Sequence, residues 1–137
     1  MTFHYDVLGD EFTHAGVASS KVKKILKQLG VPAEIVRKVA IAMYEAEINM
    51  VIHANGGVID GDINEDRIYI VLKDEGPGIE DIKLAMKAGY STATARAREM
   101  GFGAGMGLPN MKRHSDDLKI TSEVGKGTVV EIIVFLS

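Results

Sequence analysis

Arg67-Ile68-Tyr69-Ile70-Val71-Leu72-Lys73-Asp74-Glu75-Gly76-Pro77-Gly78 is an apolar run that ends on a carboxylate and then breaks into a glycine–proline turn. The run predicts an interior strand over Arg67–Lys73 that delivers Asp74 at its end. Just upstream, Val58–Ile63 predicts a partner strand, with Asn64-Glu65-Asp66 as the hairpin turn between them. Before that pair, apolar residues at helical spacing predict one helix over Ala15–Leu29, stopped by Gly30. A longer helix follows, opening at Pro32, where a proline is tolerated, and ending near His53-Ala54-Asn55-Gly56-Gly57. Phe3–Leu8 alternates like a short edge strand. Downstream, a short helix is expected over Asp81–Ala88, then a mobile loop from Gly89 to Gly107 that is rich in Gly, Ala, Ser and Thr. A helix over Leu108–Ser115 carries Pro109 in its first turn, and two strands, Leu118–Glu123 and Thr128–Leu136, flank the turn Gly125-Lys126-Gly127. Strands joined by tight turns, with helices between the pairs, predict an α+β fold. It is a two-layer α/β sandwich with a mostly antiparallel sheet and its helices on one face.

Composition narrows the function classes. At 137 residues the chain is expected to form one domain, 1–137, too short for a sensor module beside a catalytic one. A net charge of −3 and the lack of a basic stripe argue against a nucleic-acid partner. With no cysteine, disulfides and thiolate metal sites are excluded. Met1-Thr2-Phe3-His4-Tyr5-Asp6 has neither the basic start nor the apolar run of a signal peptide. No segment reaches the roughly 20 apolar residues that span a bilayer. The expectation is a cytoplasmic protein with no membrane partner.

Three segments bear on chemistry. In Glu45-Ala46-Glu47-Ile48-Asn49, residues 45 and 49 share one helix face, one turn apart. An amide oxygen is a suitable hard ligand for Mg²⁺, and a carboxylate one turn away is placed to take a proton from a nucleophile. Taken alone, a polar stripe on a surface helix is the better reading, with Glu47 pointing elsewhere into solvent and His53 a helix-end hydrogen bonder. A buried Asp74 suits the exocyclic amine of adenine, and Gly76 and Gly78 let the backbone approach a flat ring. The same residues equally describe a plain Asp-x-Gly turn. Gly103, Gly105 and Gly107, followed by Leu108, form either an anion cradle opening a helix or a flexible hinge. The lysine of the common phosphate loop is missing, and the dinucleotide fingerprint does not fit either.

Joint occurrence, in order, on a helix, a strand end and a loop opening a helix is far more specific. At this point the chain resembles the GHKL-type (Bergerat) ATP-binding fold of gyrase, a heat-shock chaperone, sensor histidine kinases and mismatch-repair proteins. Within it, the chain looks most like the small bacterial anti-sigma factors and switch-protein serine kinases. The resemblance runs from the first strand to Thr128 and beyond. It implies Glu45 as general base and Asn49 as magnesium ligand. Asp74, Gly76 and Gly78 would hold adenine, while Gly103, Gly105, Gly107 and Leu108 would wrap the phosphates beneath a lid at about 89–107. Gly127-Thr128 would place a hydroxyl near the adenine. Ile52-His53 and Gly89-Tyr90-Ser91-Thr92 fit this subgroup rather than the sensor kinases. The chain departs from the anti-sigma pattern at Gly101-Phe102-Gly103, where relatives carry a phosphate-binding arginine; Arg96 and Arg98 are its candidate replacements, beside a longer Ala93–Met100 insert. The cofactors implied are ATP and Mg²⁺. The activity implied is phosphorylation of a serine on a STAS-domain anti-sigma antagonist, and the resemblance also implies a homodimer. The competing reading is a nucleotide-gated binder that sequesters a sigma factor or an output phosphatase. Met100, Met106 and Met111 either face a partner or fill gaps in packing.

Overall fold

The computed structural model describes residues 1–8, 15–53, 56–76 and 107–136, with the side chains of 52, 53 and 107 excepted. Five strands, β1 (Thr2–Leu8), β2 (Gly56–Ile63), β3 (Arg67–Asp74), β4 (Asp117–Glu123) and β5 (Gly127–Phe135), form one sheet in the order β1-β2-β3-β5-β4. Every neighbouring pair is antiparallel. Three helices, α1 (Val17–Gln28), α2 (Ala33–His53) and α3 (Gly107–Arg113), accompany it, with α2 packed against both α1 and α3 and against four of the strands. The expected α+β sandwich is the observed one, with β3 central and β1 at an edge.

Local chemistry accounts for the boundaries. The β2–β3 hairpin is closed by the Asn64 side chain, whose Oδ1 accepts from Asp66 N and Arg67 N at 2.8 Å each. Pro32 precedes α2, and its carbonyl accepts from Ile35 N and Val36 N at 3.0 Å. The last helix begins one residue earlier than expected, at Gly107, and keeps Pro109 in its first turn, where no intrahelical partner is lost.

The period-2 alternation of the strands sorts their residues between two faces. Ile59, Ile68, Ile70, Leu72, Val130, Ile132 and Val134 point at the helices and are buried, joined by Leu26, Val36, Val39 and Met43. Met111 lies in the same core and is fully buried, so of its two expected roles it fills packing space. On the opposite face sit Tyr69, Val71, Glu131 and Ile133, all half-buried, with His4 and Asp60 toward the β1 edge. The expected short helix at 81–88, the loop from Gly89 onward, and Met100 and Met106 lie outside the described residues.

Candidate nucleotide site

The core fixes α2 across the sheet, and its register decides which polar residues are left at the margin. Met43, Ala46 and Met50 are buried, so Glu45 and Asn49, offset from them on the helical wheel, are half-buried at the side of α2 that meets α3. The Glu45 carboxylate accepts one hydrogen bond, from the Asn110 side-chain amide of α3 at 3.3 Å. Among the described residues it has no ion-pair partner, so its remaining lone pairs are available to a proton donor. Asn110 was quoted in the sequence only as part of Gly-Leu-Pro-Asn. Its lone signal is its position three residues into the helix that the glycine run opens. Asn49 has no hydrogen-bond partner among the described residues, which leaves a neutral amide oxygen open on the half-buried face of α2. Its donor type fits Mg²⁺, a hard cation completed by water and phosphate oxygens.

Asp74 ends β3 as expected, and the structure shows what holds it there. Its Oδ1 accepts from Thr128 N and from Gly76 N, both at 3.0 Å. Among the described residues Oδ2 carries no hydrogen bond, so the carboxylate retains an acceptor. Thr128 is itself buried, with Oγ1 2.9 Å from Ser122 Oγ. Gly127 makes this junction: its φ is +137°, and a Cβ there would lie 2.1 Å from the Asp74 carbonyl oxygen. Only glycine lets β5 start so close to the end of β3. The structure thus brings Asp74, Gly76 and Thr128 together, and separately joins Glu45 to α3.

Leu108 is buried in the core, so its side chain anchors α3 and leaves only its backbone to face a ligand. Gly78, Gly103, Gly105, Arg96 and Arg98 lie outside the described residues, and Gly107 is described only as the backbone that opens α3.

Glu47 departs from expectation. It is not solvated but 2% exposed. Its Oε2 accepts from Gly16 N at 3.0 Å and Ala18 N at 3.2 Å, and its Oε1 accepts from Ser19 N at 2.9 Å and Ser19 Oγ at 2.6 Å. The cause is at the start of α1. Its first N–H groups need acceptors, and the N-cap residue is Gly16, with φ 90° and no side chain to supply one. A carboxylate from the neighbouring helix fills that need and is favoured by the positive end of the helix dipole. Tyr44, beside it, lays its ring on Gly16, where a Cβ would come within 2.8 Å of Cε2. Burial first, then the nearby Glu45 and Glu47 carboxylates, push the Tyr44 phenol above its ordinary value, so it stays protonated.

The model of the family described as "Histidine kinase-like ATPase domain" matches residues 10–134. The serine/threonine-protein kinase RsbT of Bacillus subtilis is 31% identical over 118 residues, which covers 83% of each chain. An anti-sigma F factor of Caldanaerobacter subterraneus is 32% identical over 124 residues, covering 87% of this chain and 83% of its own. In fold, the chain is similar to a structure of the RsbU and RsbW domains of a Mycobacterium tuberculosis protein. That match has a TM-score of 0.65 at 13% identity and covers 98% of this chain and 32% of the other. A mycobacterial sensor histidine kinase, MprB, matches with a TM-score of 0.55 at 14% identity, over 98% and 97% of the two chains.

Proposed function

Since the chain belongs to the histidine kinase-like ATPase domain family, we propose that it is an ATP-dependent protein-serine kinase of an anti-sigma switch. The observation that carries this reading is the Glu45 carboxylate: half-buried, held by a neutral amide, and free of any cation among the described residues. A carboxylate in that state keeps free acceptor positions while being pointed by one fixed donor, which is the geometry that proton removal from an incoming hydroxyl requires.

The other residues then take distinct parts. Asp74 accepts the exocyclic amine of adenine through the oxygen that Thr128 N and Gly76 N leave uncommitted, with Gly78 beside the ring. The third-segment residues Gly103, Gly105, Gly107 and Leu108 offer backbone N–H groups to the phosphates. The Asn49 amide oxygen is the protein's ligand for Mg²⁺, which supplies charge neutralisation to the triphosphate when bound. Asn110 holds the Glu45 carboxylate in place, and Glu45 receives the hydroxyl proton of the acceptor serine as its oxygen bonds to the γ-phosphorus and ADP departs. The names of the relatives support a protein serine or threonine as acceptor and a sigma factor as partner; a serine on a STAS-domain anti-sigma antagonist as the acceptor, an output phosphatase as a further partner and a homodimer as the working assembly complete the proposal. The named serine/threonine kinase among them favours this over a nucleotide-gated binder that transfers no phosphate.

The test is Glu45→Gln. It is expected to keep its thermal stabilisation by Mg-ATP and to lose phosphate transfer to an antagonist protein by about 10²–10⁴-fold. Transfer at the wild-type rate would remove Glu45 from the chemistry, and no stabilisation of the wild type by Mg-ATP would remove the nucleotide.

A further inference from the structure

A cleft of about 290 Å³ runs between α1 and α2 on the helical side of the molecule. One wall is formed by Ser19, Ser20 and Lys23 of α1, and the other by Arg37, Tyr44 and Glu45 of α2. Its floor is apolar, made by Ala40 and Ile41. Residues 37, 41 and 45 are spaced four apart, so Arg37, Ile41 and Glu45 line the cleft from one continuous face of α2. The cleft is small beside the usual 300–1,000 Å³ of ligand pockets, and suits a few side chains rather than a whole cofactor.

The charges in it are arranged unevenly. Lys23 and Arg37 are both exposed, and neither makes an ion pair among the described residues. The single carboxylate in the lining is Glu45. Arg37 and Glu45 are eight residues apart, about 12 Å along the helix at 1.5 Å per residue. The Tyr44 phenol, raised by burial and then by the Glu45 and Glu47 carboxylates, remains a neutral donor. In a chain of net charge −3, two cations with no ion-pair partner among the described residues, beside Ala40 and Ile41, form a local positive site that also contains the proposed base.

We infer that this cleft is an acceptor subsite that takes an acidic segment of the protein substrate, with its carboxylates at Lys23 and Arg37 and its serine hydroxyl at Glu45. The inference rests on the kinase reading for the role of Glu45, but the acidic preference itself is a binding property that can be measured without catalysis. An extended chain advances about 3.3–3.6 Å per residue. A span of about 12 Å therefore places the acidic side chains three to four positions from the acceptor serine. The apolar floor adds a preference for a small aliphatic residue between them, and repulsion from Glu45 fixes the direction by keeping carboxylates away from the serine end.

The experiment uses the whole chain with Mg-ADP and two fluorescent peptides, each with one serine and either aspartates or lysines three and four positions to both sides of it. Fluorescence anisotropy is expected to show the aspartate peptide binding at least about tenfold more tightly. The double variant Lys23→Glu, Arg37→Glu should erase that preference, and Lys23→Arg, Arg37→Lys should retain it. Thermal stabilisation by Mg-ATP should be the same in all three proteins, which shows that the fold and the nucleotide site are intact. Equal binding of the two peptides, or a preference that survives the charge reversal, overturns the subsite. Labelled ATP separates the two readings. An acidic preference with no phosphate on any substrate sinks the kinase and leaves the subsite. Phosphate transfer that ignores acidic flanks does the reverse.

Discussion

Glu47 holds the start of α1, and replacing it by glutamine gives a prediction whose size follows from the contacts. The carboxylate accepts four hydrogen bonds, two on each oxygen. An amide keeps one accepting oxygen and turns the other into an NH₂ group that faces N–H donors. Two bonds are therefore lost, and their donors are buried without partners. Hydrogen bonds to a charged acceptor are each worth about 1.5–3 kcal/mol, so the loss of two in Glu47→Gln should cost at least about 3 kcal/mol. Glu47→Ala orphans all four donors and leaves a cavity, at about 4–5 kcal/mol. For a chain of 137 residues, the unfolding entropy near the midpoint is about 0.29 kcal/mol/K, so the glutamine variant should melt about 10 °C lower. Differential scanning calorimetry gives both the midpoint and the enthalpy. The helix also forms one wall of the cleft beside Glu45, so loss of stability should be accompanied by faster amide exchange over residues 17–22. A midpoint within about 2 °C of the wild type would mean that the carboxylate is not the cap of α1 in solution, and the account of its burial would fall.

Three further outcomes follow from the site and the sheet. Gly127→Ala places a Cβ against the Asp74 carbonyl oxygen in a backbone conformation unfavourable to L-residues. It should cost at least about 2 kcal/mol and weaken Mg-ATP binding more than Gly125→Ala, measured by calorimetric titration. Asn110→Ala frees the Glu45 carboxylate without removing it. Phosphate transfer should fall about tenfold in kcat with little change in the affinity for ATP, and Asn110→Gln should not restore it if position rather than polarity matters. His4 is raised above 6.5, first by its hydrogen bond to Asp60 and then by Asp6, with burial opposing. A raised histidine contributes stability that is complete below its unfolded value and fades as the pH climbs through its folded one. The urea midpoint should therefore decline from about pH 6 upward by a component that His4→Gln removes.

Much of this molecule is legible from local chemistry. The central strand announces itself by its apolar run, the hairpin by Asn64, α2 by Pro32, and the final pair by Gly125 and Gly127. These signals act over a few residues, and the tight turns make the β2–β3 and β4–β5 pairs antiparallel; the β1–β2 and β3–β5 pairings join strands far apart in the chain and are decided by the assembled sheet. Glu45 and Asn49 were readable for a similar reason, since a spacing of four on a helix is already a statement about space. The buried Glu47 could not be read in that way. By spacing alone it belongs to the solvated side of α2, and its true partner is the bare helix start at Gly16, 31 residues earlier in the chain. Nothing in either segment marks the need of one for the other.

The amino-acid order by itself therefore determined the described secondary elements, the mostly antiparallel character of their sheet, and the family to which the chain belongs. Tertiary packing decided how those segments are supported. It set the Thr128 amide against Asp74, brought the Asn110 side chain to Glu45, buried Glu47 under α1, and gathered Lys23 and Arg37 into the lining of one cleft. The division has one physical cause. Backbone hydrogen bonding and hydrophobic periodicity are encoded within a dozen residues, whereas a buried polar contact exists only where two distant surfaces have already been pressed together by the core.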